Sequence, residues 1–494
     1  MEGSVRYKVH SVHLEHTCSV DVRWNYHRQA TYTVIGDLMR AKYGVEGKGP
    51  RAFELRRLCR QEFSLHISYW KAWRALEIAM DRALGSAMGS YALVPAYFKI
   101  FLEANPNLVV GLKTETDPSG VESFKYLFFS VNACARGYRY MRKVIVIDGT
   151  HFRNRYGGCL VAASAQDGNF QVFPLGFAVV DSENDDAWEW FLWKLTEIVP
   201  EEPDLVFVSD RHSSIYTAIR KVYLMSSHGA YRAYRLSEFD RIFEEIRNTD
   251  PECAAYLARI DFEHWTRSHF VGDRYNIMTS NISESLNYVL TMARDFPVIS
   301  ILETIRTTLV SWFALRREAA NKDTDIMNPK VKEMMMENFK KSAGYFIMKI
   351  GDGIYEVRDA MDIAYAVHLW EQSCTCRAFQ LLGIPCEHAI AAGIRDGVRV
   401  ETLVNVHYTV QYRRLAYEAM IMPVPDMDTL ERTTNESGKV RLGPPNVRRP
   451  PGRPKKTRIF SKGEFKRVAR RRCTRCRVRG HNKSTCKGPI PVRM

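Results

Sequence analysis

The sequence predicts an α/β protein: a mixed sheet under helical cover, with a helical region before it and small zinc modules after it. Three observations predict this. Val144-Ile145-Val146-Ile147 and Leu205-Val206-Phe207-Val208 are continuous apolar runs that read as buried strands, one ending at Asp148 and the other at Ser209-Asp210. Between them, Cys159 to Ala165 and Phe170 to Val180 are two more apolar segments, parted by Gln166-Asp167-Gly168-Asn169, a hairpin signal. Trp188, Phe191, Leu192, Leu195 and Ile198 then recur at helical spacing. Strand, hairpin, helix, strand is an order that suits a mixed sheet with helices packed on it.

The flanking elements follow in chain order. Residues 1–35 hold two strand-like runs, Tyr7-Lys8-Val9-His10 and Ala30-Thr31-Tyr32-Thr33-Val34, on either side of His16-Thr17-Cys18. Residues 50–125 read as a helical region, with Leu55, Leu58 and Cys59 on one stripe and Ala72, Trp73, Leu76, Met80 and Leu84 on another. Such a unit is either a helix-turn-helix reader of DNA or an ordinary bundle, and the lack of a clearly basic face favours the bundle. Residues 213–275 and 282–317 read mainly as helix, which sets the core at 140–325. A hairpin around Gly351-Asp352-Gly353 opens a module at 345–410, and the proline-rich stretch 420–460 reads as a linker into a tail that runs to 494. No apolar run approaches the roughly 18 residues that span a bilayer, so no membrane is expected as a partner.

Two cysteine clusters carry the sharpest chemical signal. Cys374-x-Cys376 and Cys386-x-His388 put three thiols and an imidazole within fifteen positions, a complete tetrahedral shell for Zn²⁺. Pro385 favours a sharp turn into Cys386, and Glu387 to Ala392 reads as a short helix presenting His388. Cys473, Cys476, His481 and Cys486 have the spacing of a zinc knuckle, a module of single-stranded nucleic-acid binding. Arg475, Arg477, Arg479 and Lys483 lie among these ligands, so the metal would hold a basic surface in place. Two structural zinc ions are expected. The other five of the eleven cysteines, Cys18, Cys59, Cys134, Cys159 and Cys253, are scattered, as in a reducing compartment rather than a disulfide scaffold.

Charge points the same way. Residues 439–494 hold 20 Lys and Arg against one acid, a net of +19, so the overall +15 leaves −4 on the rest of the chain. A basic block this dense repels itself until it meets a polyanion, and DNA is the expected one. Within it, Gly452-Arg453-Pro454-Lys455-Lys456 is an extended, AT-hook-like segment whose glycine and arginine suit a narrow A·T minor groove. With Lys466-Arg467 and Arg470-Arg471-Arg472 it also suits nuclear import, so a nuclear location is expected.

Asp148 and Asp210 close two predicted strands and share a rim if those strands are parallel neighbours; Glu284 falls on a later helix. Three converging carboxylates repel one another unless cations join them, and Mg²⁺ held between carboxylates and phosphate oxygens is the natural choice. Surface or helix-capping carboxylates account for the same residues equally well.

Several stretches resemble the transposases of plant Mutator-like elements, the MuDR type: Val146-Ile147-Asp148-Gly149-Thr150-His151-Phe152, Ala178-Val179-Val180-Asp181-Ser182-Glu183-Asn184-Asp185, Val208-Ser209-Asp210-Arg211-His212, and Thr279 to Asn287. The Cys374–His388 cluster resembles that family's SWIM zinc finger, and the tail its AT-hook and CCHC knuckle. The resemblance implies an RNase H-like core with a helical insertion. It implies Asp148, Asp210 and Glu284 as a DDE set that cuts and joins DNA with Mg²⁺, on DNA as a homo-oligomer. It also implies a partial DNA-binding finger over 1–45, keeping only His16 and Cys18, and a shortened segment after Val222. A non-enzymatic nuclear DNA-binding regulator derived from such a transposase is the alternative; an RNA-binding protein using the knuckle is a weaker third.

Overall fold

The computed structural model describes residues 30–43, 49–209 (without 117, 119, 153 and 155), 212–228, parts of 240–258, 281–424 (without 292) and 442–446. Residues 1–236 with 263–449 form one compact unit, and 237–262 with 450–494 a second. In the second unit the helix Pro251–Ala258 is described.

The N-terminal region is helical: α1 (Tyr32–Met39), α2 (Ala52–Phe63), α3 (Tyr69–Leu84) and, after a single turn, α4 (Val94–Ala104). Tyr32 to Val34 therefore starts a helix and not the strand that its aromatic and β-branched residues suggest. The reason is local: the Thr31 hydroxyl accepts from the Val34 amide at 3.3 Å, an N-cap that outweighs weak β-propensity. Ile35, Met39, Leu55, Cys59, Ala72, Ala75 and Ala79 close a small core of their own. The alanine stripe on α3 lets its neighbours pack closely.

Sheet structure begins earlier than the sequence suggests. β1 (Val109–Thr116) and β2 (Glu122–Ser130) form a hairpin that begins inside the interval read as helical and runs past its end. They join β3 (Val144–His151), β4 (Cys159–Gln166), β5 (Val172–Val180), β6 (Val206–Val208) and β7 (Ser227–His228) in a seven-stranded sheet of order β1-β2-β5-β4-β3-β6-β7. β3, β4 and β5 are antiparallel neighbours, while β6 and β7 add in parallel beside β3. An antiparallel trio whose first strand is extended by parallel strands is the RNase H-like arrangement; β1 and β2 are an added edge.

Helices cover the sheet. α5 (Asn132–Tyr138) follows β2, and α6 (Asp185–Leu195) and α7 (Ser213–Val222) lie next to each other. Trp188, Phe191, Leu192 and Leu195 of α6 are fully buried. Burial of side chains of this size contributes about 1.5–3 kcal/mol each. After α8 of the second unit (Pro251–Ala258, above) come α9 (Asn281–Val289) and α10 (Val298–Lys322). By length and composition α10 is apolar enough to cross a membrane, which corrects the expectation that no segment is. Here Ile299, Ile301, Leu302, Ile305, Leu309 and Phe313 pack into the sheet core, and Glu303 accepts from Tyr97 at 2.7 Å and from Arg306. That is the pattern of a core helix.

α11 (Pro329–Lys341) leads to a four-stranded sheet of β8 (Phe346–Gly351), β9 (Ile354–Arg358), β10 (Ala364–His368) and β11 (Ser373–Cys374). The β8–β9 turn falls at Gly351-Asp352-Gly353 as expected. α12 (Ala378–Leu382), α13 (Glu387–Arg395) and α14 (Val410–Ala416) complete the unit. Part of the predicted linker is structured: Gly443 exchanges backbone bonds with Glu122 and Phe124 at 2.8 and 2.9 Å, adding to β2, and Leu442 is buried.

Candidate functional site: a zinc module and an aspartate on the sheet

Cys374, Cys376, Cys386 and His388 meet. Their ligand atoms all lie within 4.8 Å of one another, and Cys374, Cys386 and His388 are buried. The sequence brings them together through two short devices. β11 ends at Cys374, and Arg377, at φ +66°, turns the chain so that its amide reaches the Cys374 carbonyl at 2.8 Å. Cys386 caps α13, which puts His388 in its first turn. Amides of Cys376 and Ala378 point at the sulfurs of Cys374 and Cys376 at 3.5 and 3.4 Å, donors that stabilise thiolate charge. Gln380 clamps both the amide and the carbonyl of Cys374.

The set fits a tetrahedral Zn²⁺. With Zn–S about 2.3 Å and Zn–N about 2.1 Å, neighbouring S and N ligands lie about 3.6 Å apart; Cys386 Sγ and His388 Nδ1 are 3.8 Å apart. Bonds from Cys374 and then Cys386 hold Cys376 far below the ordinary thiol range. The bond to Cys376 pushes Cys374 up to about 12, and bonds to Cys374 and Cys376 push Cys386 well up. The His388 ring stacks on Tyr365 at 3.8 Å between centroids and on Tyr345 at 5.5 Å. Neither tyrosine stands out by sequence spacing, because β8–β10 and their lead-in bring them there.

The module is tied to the sheet through Tyr408. Its hydroxyl donates to Leu382 O at 2.7 Å, between the two ligand pairs, and accepts from Arg142 at 3.1 Å. Arg142, fully buried, also reaches Gln166 and the Asp167 carbonyl and lies over the rings of Phe170 and Tyr408. Asp167 holds the β4–β5 turn, accepting from the Asn169 and Gln171 amides, and takes the Tyr417 hydroxyl at 2.8 Å. Gly168 in that turn lies where a Cβ would sit 2.2 Å from the His407 carbonyl, so only glycine lets the two parts approach this closely.

Asp148 lies inside β3, opposite Ala162, and the strand runs three residues past it. This corrects the expectation of a strand end. One carboxylate oxygen accepts from the Gly149 amide at 2.9 Å and the other from Asn287 Nδ2 at 2.8 Å. β6 is the parallel neighbour of β3, with Val146, two residues before Asp148, paired to Val208. Glu284 is exposed on α9, the helix that reaches β3 through Ser283 and Asn287. Ser283 and Asn287 are four residues apart and so share a helix face. Ile282 packs against Val144, Val146, Val206 and Val208 below them. Asn287 Oδ1 is buried with no hydrogen-bond partner, an oxygen suited to a hard cation beside Asp148. Sequence reasoning named Glu284 and missed Asn287, although the same stretch carries both.

Asp210, the knuckle residues Cys473, Cys476, His481 and Cys486, the segment Gly452 to Lys456, and His16 and Cys18 lie outside the described residues.

The mixed sheet with its Cys₃His module is consistent with an RNase H-like core of the transposase type. Residues 144–230 match the family model of the MULE transposase domain, and residues 365–393 that of the SWIM zinc finger. The chain carries both domains, and DNA is the partner that a transposase domain implies. No curated protein matches the chain.

Proposed function

We propose that this chain is a DNA transposase of the plant MuDR type that cuts and joins strands by a DDE two-metal mechanism. The observation that carries the reading is Asp148 on the central strand of an RNase H-like sheet, its carboxylate oriented by Gly149 N–H and Asn287. Asp148, Asp210 and Glu284 are the metal-holding acids in this reading. When bound, Mg²⁺ would supply charge for the attacking and leaving oxygens of the phosphodiester. Asn287 fixes the Asp148 rotamer. The basic tail, with Gly452 to Lys456 and the CCHC knuckle as a second zinc site, holds DNA, and the protein acts in the nucleus as a homo-oligomer on DNA.

The test is Mg²⁺-dependent nicking of DNA carrying the element's terminal repeats. Asp148→Asn is expected to abolish nicking with DNA binding nearly intact. Equal nicking by both proteins refutes the enzyme and leaves the non-enzymatic DNA-binding regulator. Deleting residues 439–494 is expected to flatten the fall of DNA affinity with salt, because that segment carries the +19 charge. An unchanged slope removes the tail as the main contact.

A further inference from the structure

A second group of ligating side chains lies close to Asp148 and plays no part in the reading above. His151 on β3 faces Cys159 on β4 in antiparallel register, and Glu183 follows β5. Cys159 Sγ donates to Glu183 Oε1 at 3.2 Å, and His151 Nε2 lies 4.0 Å from the same oxygen. The three ligand atoms are all within 4.8 Å of one another. A tetrahedral ion with Zn–S about 2.3 Å and Zn–N or Zn–O about 2.0–2.1 Å puts adjacent ligands about 3.3–3.6 Å apart, and the two observed separations straddle that range.

Three features make this a built arrangement. Cys159 is fully buried, so its sulfur is fixed by the core. Glu183 sits in a short stiff turn: Asp181 accepts from the Ser182 amide at 2.6 Å and from Asn184 at 3.1 Å, and Asn184 caps α6 through the Ala187 amide at 2.8 Å. Gly149 leaves room for the carboxylate, since a Cβ there would lie 2.4 Å from Glu183 Oε1. That contact also separates the group from the aspartate. Successive strand residues point to opposite faces, so Glu183 lies on the Gly149 face and Asn287 on the Asp148 face.

We propose that His151, Cys159 and Glu183 form a separate metal site for a borderline-soft divalent transition-metal ion such as Zn²⁺. Thiolate, imidazole and carboxylate favour such an ion over Mg²⁺. Three protein ligands leave the fourth position open on the side of exposed His151, as in zinc sites that keep a water or an exchangeable ligand. On binding, the Cys159 proton leaves to solvent. The ion would then join the ends of β3, β4 and β5 under the strand that carries Asp148.

Co²⁺ added to the full chain carrying two equivalents of Zn²⁺, the number its two cysteine-rich clusters take, tests this, since Co²⁺ bound to a thiolate gives a near-ultraviolet charge-transfer band. Wild type is expected to take up one further Co²⁺ with that band, unaffected by excess Mg²⁺. Cys159→Ser removes the band. His151→Ala changes an exposed side chain and keeps the fold, and it weakens uptake by about tenfold or more. Gly149→Ala pushes the Glu183 carboxylate away and does the same. Absence of the extra Co²⁺ in wild type overturns the proposal. So does a band of equal strength and affinity in His151→Ala, because the thiolate then belongs to another cluster.

Discussion

The zinc module and the Asp148 cleft solve the same problem, holding several charged ligands together, in opposite ways. The module draws its four ligands from two adjacent short turns and closes them with local devices: the Arg377 turn, the Gln380 clamp and the Cys386 cap. The cleft draws on a strand and a helix, and the contact that orients Asp148 spans 139 residues. A local site depends on its metal, because little else compels the loops to close. A long-range site is positioned by the whole sheet and keeps its geometry whatever it binds.

That contrast is open to direct attack. The largest expected effect is Cys386→Ser, or zinc removal by a chelator. Structural zinc supplies about 10–16 kcal/mol in finger-type peptides, so amide protection over 346–395 should be lost while β3–β5 stay protected. Global unfolding would instead show that the sheet leans on the module. Arg142→Ala comes next. It deletes a buried side chain that joins Tyr408 to the β4–β5 turn, and a loss of about 2–5 kcal/mol is expected in denaturant unfolding. A change within error would mean that the two parts are independent.

Asp148→Asn should change stability by less than about 1 kcal/mol, since the amide keeps the size of the side chain. A larger loss of melting temperature would reveal the aspartate as structural. The smallest effect concerns His407 at the junction. Burial, opposed by its bond to the Tyr140 carbonyl and helped by Arg142, holds it below the usual 6.5. The folded state thus prefers the neutral ring, while the unfolded chain takes up a proton below about 6.5. Stability contributed by His407 is present above that pH and lost as pH falls towards the folded value. His407→Gln should flatten this acid-side slope; an unaltered slope assigns it to other groups.

The same contrast explains what could be read from the chain. The ligands of the module, the β4–β5 hairpin and the Gly351–Gly353 turn are legible because each is written in a few consecutive residues. Thr31 misled because one capping hydroxyl reverses the preference of Tyr32, Thr33 and Val34. β1 was hidden because Val109, Val110 and Leu112 follow α4 without a clear period, and its strand character comes from pairing with β2. Asn287 was hidden for the deepest reason: nothing near it in sequence says that Asp148 is its neighbour.

The stack of His388 on Tyr365 has a spectroscopic consequence. With ring centroids 3.8 Å apart, the imidazole protons lie within the magnetic shielding of the phenol ring. They should resonate upfield of those of exposed histidines such as His151, well resolved in a proton spectrum. Metal loss that frees the imidazole would move that signal back, so one line would report occupancy of the module in the intact, unlabelled chain.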